Sequence, residues 1–148
     1  MIRYSERQNP DIWVYVLICG VALVACFTVV EADRHGWPAV TPTLALLALL
    51  MYLMTMRTTV DSDTLSVTFG RYLTWYRWRI PLSQIASSEV VAYSPIKEYG
   101  GWGIRGFGKR RALNMRGNRG VQLVLQNGDR VLIGSGQPEK LYSALQIG

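Results

Sequence analysis

Two uncharged apolar runs, Ile12 to Val30 and Pro38 to Met56, separated by the hydrophilic segment Glu31-Ala32-Asp33-Arg34-His35-Gly36-Trp37, constrain this chain more than any other feature. At 1.5 Å per helical residue each 19-residue run rises about 28 Å, close to the roughly 30 Å hydrocarbon core of a bilayer. The pattern predicts a two-helix transmembrane hairpin, with spans at 12–30 and 38–56. Two other readings of the runs stay open. Leu23-Val24-Ala25-Cys26 loosely fits a lipoprotein cleavage site, although Glu6 and Asp11 spoil a positive leader. The other is a chain outside the bilayer with two buried helices.

The charges are unevenly placed. The net charge is +6 over 148 residues, yet the tail before Ile12 is neutral and the loop between the runs carries −1. From Arg57 onward, 13 Lys and Arg stand against 6 acids. By the bias of Lys and Arg toward the cytoplasm, the short loop faces out and both termini lie inside, as in a multi-pass protein of the bacterial inner membrane. Trp13, Trp37 and Tyr52 sit where headgroup-level aromatic anchors are expected. The chain divides into residues 1–56, a tail and hairpin, and residues 57–148, one domain of about 90 residues, near the lower edge of ordinary domain size.

After Arg57 the apolar period changes to two, with turn residues every eight to twelve positions, the mark of antiparallel β structure. Leu65, Val67 and Phe69 alternate with Ser66 and Thr68, and Tyr76, Trp78 and Ile80 alternate with Arg77 and Arg79. Val121 to Gln126 and Arg130 to Gly134 flank Asn127-Gly128, the favoured pair for a type I′ hairpin turn. Leu141, Tyr142 and Leu145 form one stripe of a closing helix from about Pro138 to Gln146. The expected class is α+β, with the hairpin followed by a small antiparallel β-sandwich or barrel and a C-terminal helix.

Gly100-Gly101-Trp102-Gly103-Ile104-Arg105, then Gly120-Val121-Gln122-Leu123 leading into Asn127-Gly128, then Leu132-Ile133-Gly134-Ser135 with Pro138-Glu139-Lys140-Leu141, resemble bacterial pleckstrin-homology-like (PH-like) domain membrane proteins. The resemblance is sharpest from Gly100 to Leu145. It implies about seven strands with a C-terminal helix, frequent homo-oligomers, no enzymatic activity and no established ligand.

The residues themselves offer no acid–base or nucleophile set. Gly101-Trp102-Gly103-Ile104-Arg105-Gly106 matches G-x-G-x-x-G, but nothing amphipathic follows it to supply the helix N-terminus that holds a pyrophosphate. Glu31, Asp33 and His35 are too few and too local to specify a metal site, and no cofactor is expected. Cys19 and Cys26, about 10 Å apart along one helix, cannot bridge each other. The interleaved bases and aromatics of 71–79 follow strand alternation, so no nucleic acid is expected. The strongest functional candidate is the acid-free basic set Arg105, Lys109, Arg110, Arg111, Arg116 and Arg119. Such a set contacts an anionic lipid headgroup or an acidic partner, or serves as a solvated face. The expected function is that of a non-catalytic integral membrane protein whose cytoplasmic domain mediates self-association or docks another membrane protein. The alternatives are an anionic-lipid sensor using the 105–119 segment and an accessory subunit of a membrane enzyme complex.

Overall fold

The computed structural model describes residues 1–32, 37–71, 74–106 and 108–146, and within the helices it leaves the side chains of 28–32, 37–40 and 50–52 undescribed. The chain begins with a strand, β1 (Tyr4–Gln8), and then forms two helices, α1 (Ile12–Ala32) and α2 (Trp37–Leu53). It returns in β2 (Met56–Val60), followed by β3 (Thr64–Phe69) and β4 (Tyr76–Pro81). These four strands make one antiparallel sheet in the order β1-β2-β3-β4. A 3-10 turn at Leu82–Gln84 leads to β5 (Ile85–Ala92), a short helix α3 (Pro95–Tyr99), β6 (Gly103–Arg105), β7 (Arg110–Asn114), β8 (Arg119–Leu125) and β9 (Arg130–Gly134). These form a second sheet in the order β5-β8-β9-β7-β6, closed by the helix α4 (Pro138–Gln146).

The sheets face each other across one apolar core. Met56, Val60, Leu65, Val67, Phe69 and Ile80 of the first sheet meet Leu113, Val121, Leu123, Val131 and Ile133 of the second, with Leu141, Ala144 and Leu145 of α4. The spacing explains the choice of face. In β3 the buried Leu65, Val67 and Phe69 are two apart, so one side of the pleat is apolar throughout. The outer face of the second sheet has a smaller cluster, Tyr93, Ala112 and Leu132, against which Val91 and Tyr99 pack.

Several expectations are corrected. Among the described residues no helix is long and apolar enough to cross a membrane. α2, at 17 residues, rises about 26 Å, short of the roughly 30 Å required. The second apolar run reads as a full span because its last residues serve the sandwich: the chain leaves the helix after Leu53, and Met56 is fully buried between the sheets. The transmembrane hairpin, and with it the placement as a multi-pass inner-membrane protein with cytoplasmic termini, is therefore overturned. The fold is α+β with two sheets. The second sheet is mixed, because β7 runs parallel to β9, so a purely antiparallel domain is corrected as well.

The hairpin at Asn127-Gly128 joins β8 to β9 by another turn. Type I′ needs positive φ at both central residues, yet no described non-glycine residue has positive φ. Instead the Gly128 amide donates to the Leu125 carbonyl, 2.9 Å, and only Gly128 is left-handed, at φ 86°. This is the three-residue loop in which glycine forms the bulge position. Asn127 works through its side chain, accepting from the Asp129 amide and donating to the Asp129 carboxylate, each at 2.9 Å.

β1 is the element missing from the sequence reading. Tyr4, Glu6 and Gln8 share its inward face, and polar residues there defeat a search for apolar alternation. They point inward to serve backbone and hydroxyl groups at the junction of β9 and α4. The Glu6 carboxylate accepts from the Tyr4 hydroxyl at 2.6 Å, the Ser135 hydroxyl at 2.7 Å and the Gly136 amide at 2.9 Å. The Gln8 side-chain amide donates to the Gly134 carbonyl at 2.8 Å. The first strand is thereby fastened to the last strand and the last helix.

Removing the shared acceptor in Glu6→Ala is expected to destabilise the fold by about 2–4 kcal/mol in denaturant unfolding. The exposed Glu89→Ala is expected to stay within about 0.5 kcal/mol. Burial, and then the hydrogen bond to Glu6, holds the Tyr4 hydroxyl above its ordinary pKa of 10.0, and burial does the same for Tyr93. These tyrosines stay neutral in the folded chain and ionise once unfolded. Stability from them is constant below about pH 10 and falls above it, by at most about 1.4 kcal/mol per pH unit for each. Tyr4→Phe is expected to flatten that alkaline slope, read from unfolding midpoints across the range.

Candidate docking surface

The two helices leave the sheet side by side. β1 ends at Gln8, β2 begins at Met56, and these residues are register partners, so the hairpin is inserted between adjacent strands. The helices touch along a narrow stripe. Val14, Ile18, Ala22 and Ala25 of α1 are partly covered, as are Thr43 and Leu47 of α2, with small alanines between the larger side chains. The rest of the described apolar surface is bare. Trp13 is 76% exposed, Leu17 67%, Leu23 71% and Phe27 66%, and Leu44, Leu46 and Leu49 of α2 are also exposed.

This surface has a repeat. Trp13, Val16, Gly20, Leu23 and Phe27 stand at i, i+3, i+7, i+10 and i+14, the spacing of a helix–helix seam. Gly20 lies at its middle, exposed, and a Cβ there would meet nothing within 4 Å. A helix apolar all round is ordinarily covered on every side. Eleven large apolar side chains on α1 and α2 are exposed, on the order of 1,000 Å² of apolar area, more than a monomer ordinarily leaves open.

The root of the hairpin is braced. The Trp75 indole N–H donates to the Leu53 carbonyl at 3.2 Å, capping one of the acceptors that the end of α2 leaves free. Its ring lies 5.9 Å from Phe69 and 6.2 Å from Tyr76, within the range of favourable tilted aromatic pairs. Beside them an apolar cavity of about 280 Å³ opens between Leu53, Met54, Phe69, Trp75, Ile104 and Met115.

The six basic residues do not make one face. The Arg105 guanidinium folds back, donating from Nε to the Trp102 carbonyl at 2.9 Å. Arg110 lies 5.3 Å from the centre of the Tyr99 ring and 3.8 Å from the Glu98 carboxylate. Arg119 pairs with Glu139, whose carboxyl is held below its ordinary pKa by its own backbone N–H and then by Arg119. Lys109 and Arg116 are exposed at opposite ends of β7, while Arg111 is half-buried. The G-x-G-x-x-G stretch enters β6 and no helix. Gly106, at φ 77°, brings the chain so close that a Cβ would lie 2.3 Å from the Arg110 carbonyl oxygen.

Trp13 stands free on α1, and the anchor role expected of it falls with the span. The side chains of Trp37 and Tyr52 lie outside the described residues, as do Asp33 and His35 of the loop. Among the described residues no group of three His, Cys, Asp or Glu is placed to hold a metal ion. The sequence reading assigned these apolar runs to lipid, so the bare seam along α1 was not singled out. The heptad-spaced seam and its central glycine were the available signals.

Trp75→Phe keeps a ring in the aromatic cluster and removes the N–H donor. It is expected to lower stability by about 0.5–1.5 kcal/mol in denaturant unfolding, and Trp75→Ala by more, since the ring contacts go as well.

Comparison with curated proteins and with solved structures finds no match. A family model matches residues 3–105, which take in β1, the helical hairpin, the rest of the first sheet, β5, α3 and β6. With more than half its length so matched, the chain belongs to the family described as "Protein of unknown function (DUF3093)".

Proposed function

We propose that this is a non-catalytic association module, in which the α1–α2 hairpin of one copy packs against the same hairpin of a second copy. The observation that carries the reading is the bare apolar surface of the two helices. An interface between proteins typically buries about 800 Å² on each partner, and the exposed Trp13, Val16, Leu23 and Phe27 supply an apolar centre for one. Two hairpins meeting along the Trp13–Phe27 seam bring their α1 helices together, with Gly20 allowing close approach of the backbones.

The sandwich is the platform for the hairpin. Two facing sheets closed by a C-terminal helix support the PH-like reading, whose known members are often homo-oligomers. The additional N-terminal strand and the parallel β7–β9 pair are departures from the pattern that resemblance implies. The alternative in which segment 105–119 reads an anionic surface has less support, because Arg105, Arg110 and Arg119 are already engaged within the chain.

The test is the mass of the full chain in solution by light scattering over a wide concentration range. The expected result is a dimer or a higher even-numbered assembly. Val16→Glu with Leu23→Glu, both at exposed positions, is expected to shift it to monomer with the sandwich still folded. Gly20→Leu is expected to weaken it as well. A chain that stays monomeric at every concentration overturns the reading.

A further inference from the structure

The exposed face of α1 has a second regularity. Counted from Gly20, the exposed side chains at −7, −4, −3, +3, +4 and +7 are Trp13, Val16, Leu17, Leu23, Val24 and Phe27. Read from either end, the order is aromatic, Val, Leu, Gly, Leu, Val, aromatic. A stripe laid against a reversed copy of itself ordinarily sets side chains of unlike size at the same level. Here reversal sets Trp13 opposite Phe27, Val16 opposite Val24 and Leu17 opposite Leu23, with Gly20 opposite its own copy. Packing therefore accepts a parallel or an antiparallel second copy equally well, and charge decides between them.

The charge is lopsided. The hairpin, residues 12–56, nets −1, while the rest of the chain nets +7. Near the point where the helices leave the first sheet, its outer face is basic. Arg7 and Arg57 are register partners there, Arg77 follows in the same row across Thr68, and all three are exposed. Arg7 directly opposite Arg57 is a like-charge pair that already costs stability in a single copy. A parallel neighbour brings a second such row alongside, because helices in contact lie about 8–10 Å apart, roughly one Debye length at physiological salt. In an antiparallel pair centred on Gly20 the two Ile12 residues stand about 24 Å apart along the axis, about three Debye lengths. Each basic root then lies beside the far end of a hairpin that is net negative.

We infer that the second copy is inverted, its α1 antiparallel to the first about a two-fold axis at Gly20. The inference rests on the self-association proposed above and adds its direction. It carries the two basic sandwiches to opposite ends of the paired helices, in a contact that is isologous and closed.

The test uses the full chain with Cys19→Ser and Cys26→Ser, carrying either Val16→Cys or Val24→Cys, each a change that nearly conserves size. A disulfide needs Cα atoms within about 7 Å. In the antiparallel seam position 16 meets position 24 of the second copy, whereas two copies of position 16, or of position 24, stand about 12 Å apart along the axis. Oxidation of the two chains mixed is expected to give a disulfide joining one to the other, and oxidation of either chain alone to give none. Light scattering on the reduced chains shows whether they associate.

Disulfides formed by each chain alone, and none specific to the mixture, mean a parallel seam; they overturn the inference and leave self-association standing. Chains that associate but form no disulfide in any sample place the contact elsewhere and overturn it too. Chains that stay monomeric at every concentration remove the association itself, and the inference with it.

Discussion

The pairing of β1 with β2 is the contact on which the rest of the structure depends. It brings together two segments separated by the whole helical hairpin, Tyr4–Gln8 and Met56–Val60, and makes them adjacent rungs of one sheet. The hairpin is thus a long insertion between neighbouring strands, held at both ends by the same ladder. A flexible connection of that length carries a closure cost that grows only slowly with its length, so a structured insertion is well tolerated. β1 is an edge strand with a polar inward face, and its own apolar burial is small. Hydrogen bonds from Glu6 and Gln8 to the β9–α4 junction hold it in register.

This arrangement joins the two ends of the chain. Glu6 near the start and Ser135 to Gly136 near the finish share one hydrogen-bonded cluster, while α4 covers the adjoining end of the core. The apolar hairpin therefore projects from a closed body and not from a loose tail. Aromatic packing at Phe69, Trp75 and Tyr76 fixes the point where α2 returns to the sheet. A rigid root makes the exposed face of α1 a defined surface, which is what specific association requires.

Elements whose burial follows a simple period were legible in the sequence. β3 and β4 alternate cleanly, α4 shows its apolar stripe, and Asn127-Gly128 marks the tip of a hairpin. The turn type there was not legible, because Gly128 alone takes the left-handed conformation and Asn127 contributes its side chain. β1 was hidden because Glu6 and Gln8 face inward for hydrogen bonding, which leaves Tyr4 as the only one of its inward residues in the apolar core. The parallel pairing of β7 with β9 has no local signal, since it is set by the path of the chain across the sheet. The hairpin misled for a different reason. Uniform apolarity marks a helix that must be covered without saying by what, and Met56 lengthened the second run with a residue that belongs to the sandwich core. Of the six basic residues singled out, only their positions in the chain were readable. Their separation into an Arg105 fold-back, an Arg110–Tyr99 stack, an Arg119–Glu139 pair and a half-buried Arg111 depends on which side of each strand they leave.

The central claim is that α1 of one copy lies against α1 of another. Cys19 is exposed on that helix, beside Gly20 at the middle of the seam, and takes a spin label once Cys26 is replaced by Ser. Helices in direct contact are about 8–10 Å apart axis to axis. The account predicts strong dipolar coupling between labels on two copies, abolished when labelled chains are diluted with a large excess of unlabelled ones. Labels that show no coupling in undiluted protein at any concentration would contradict it.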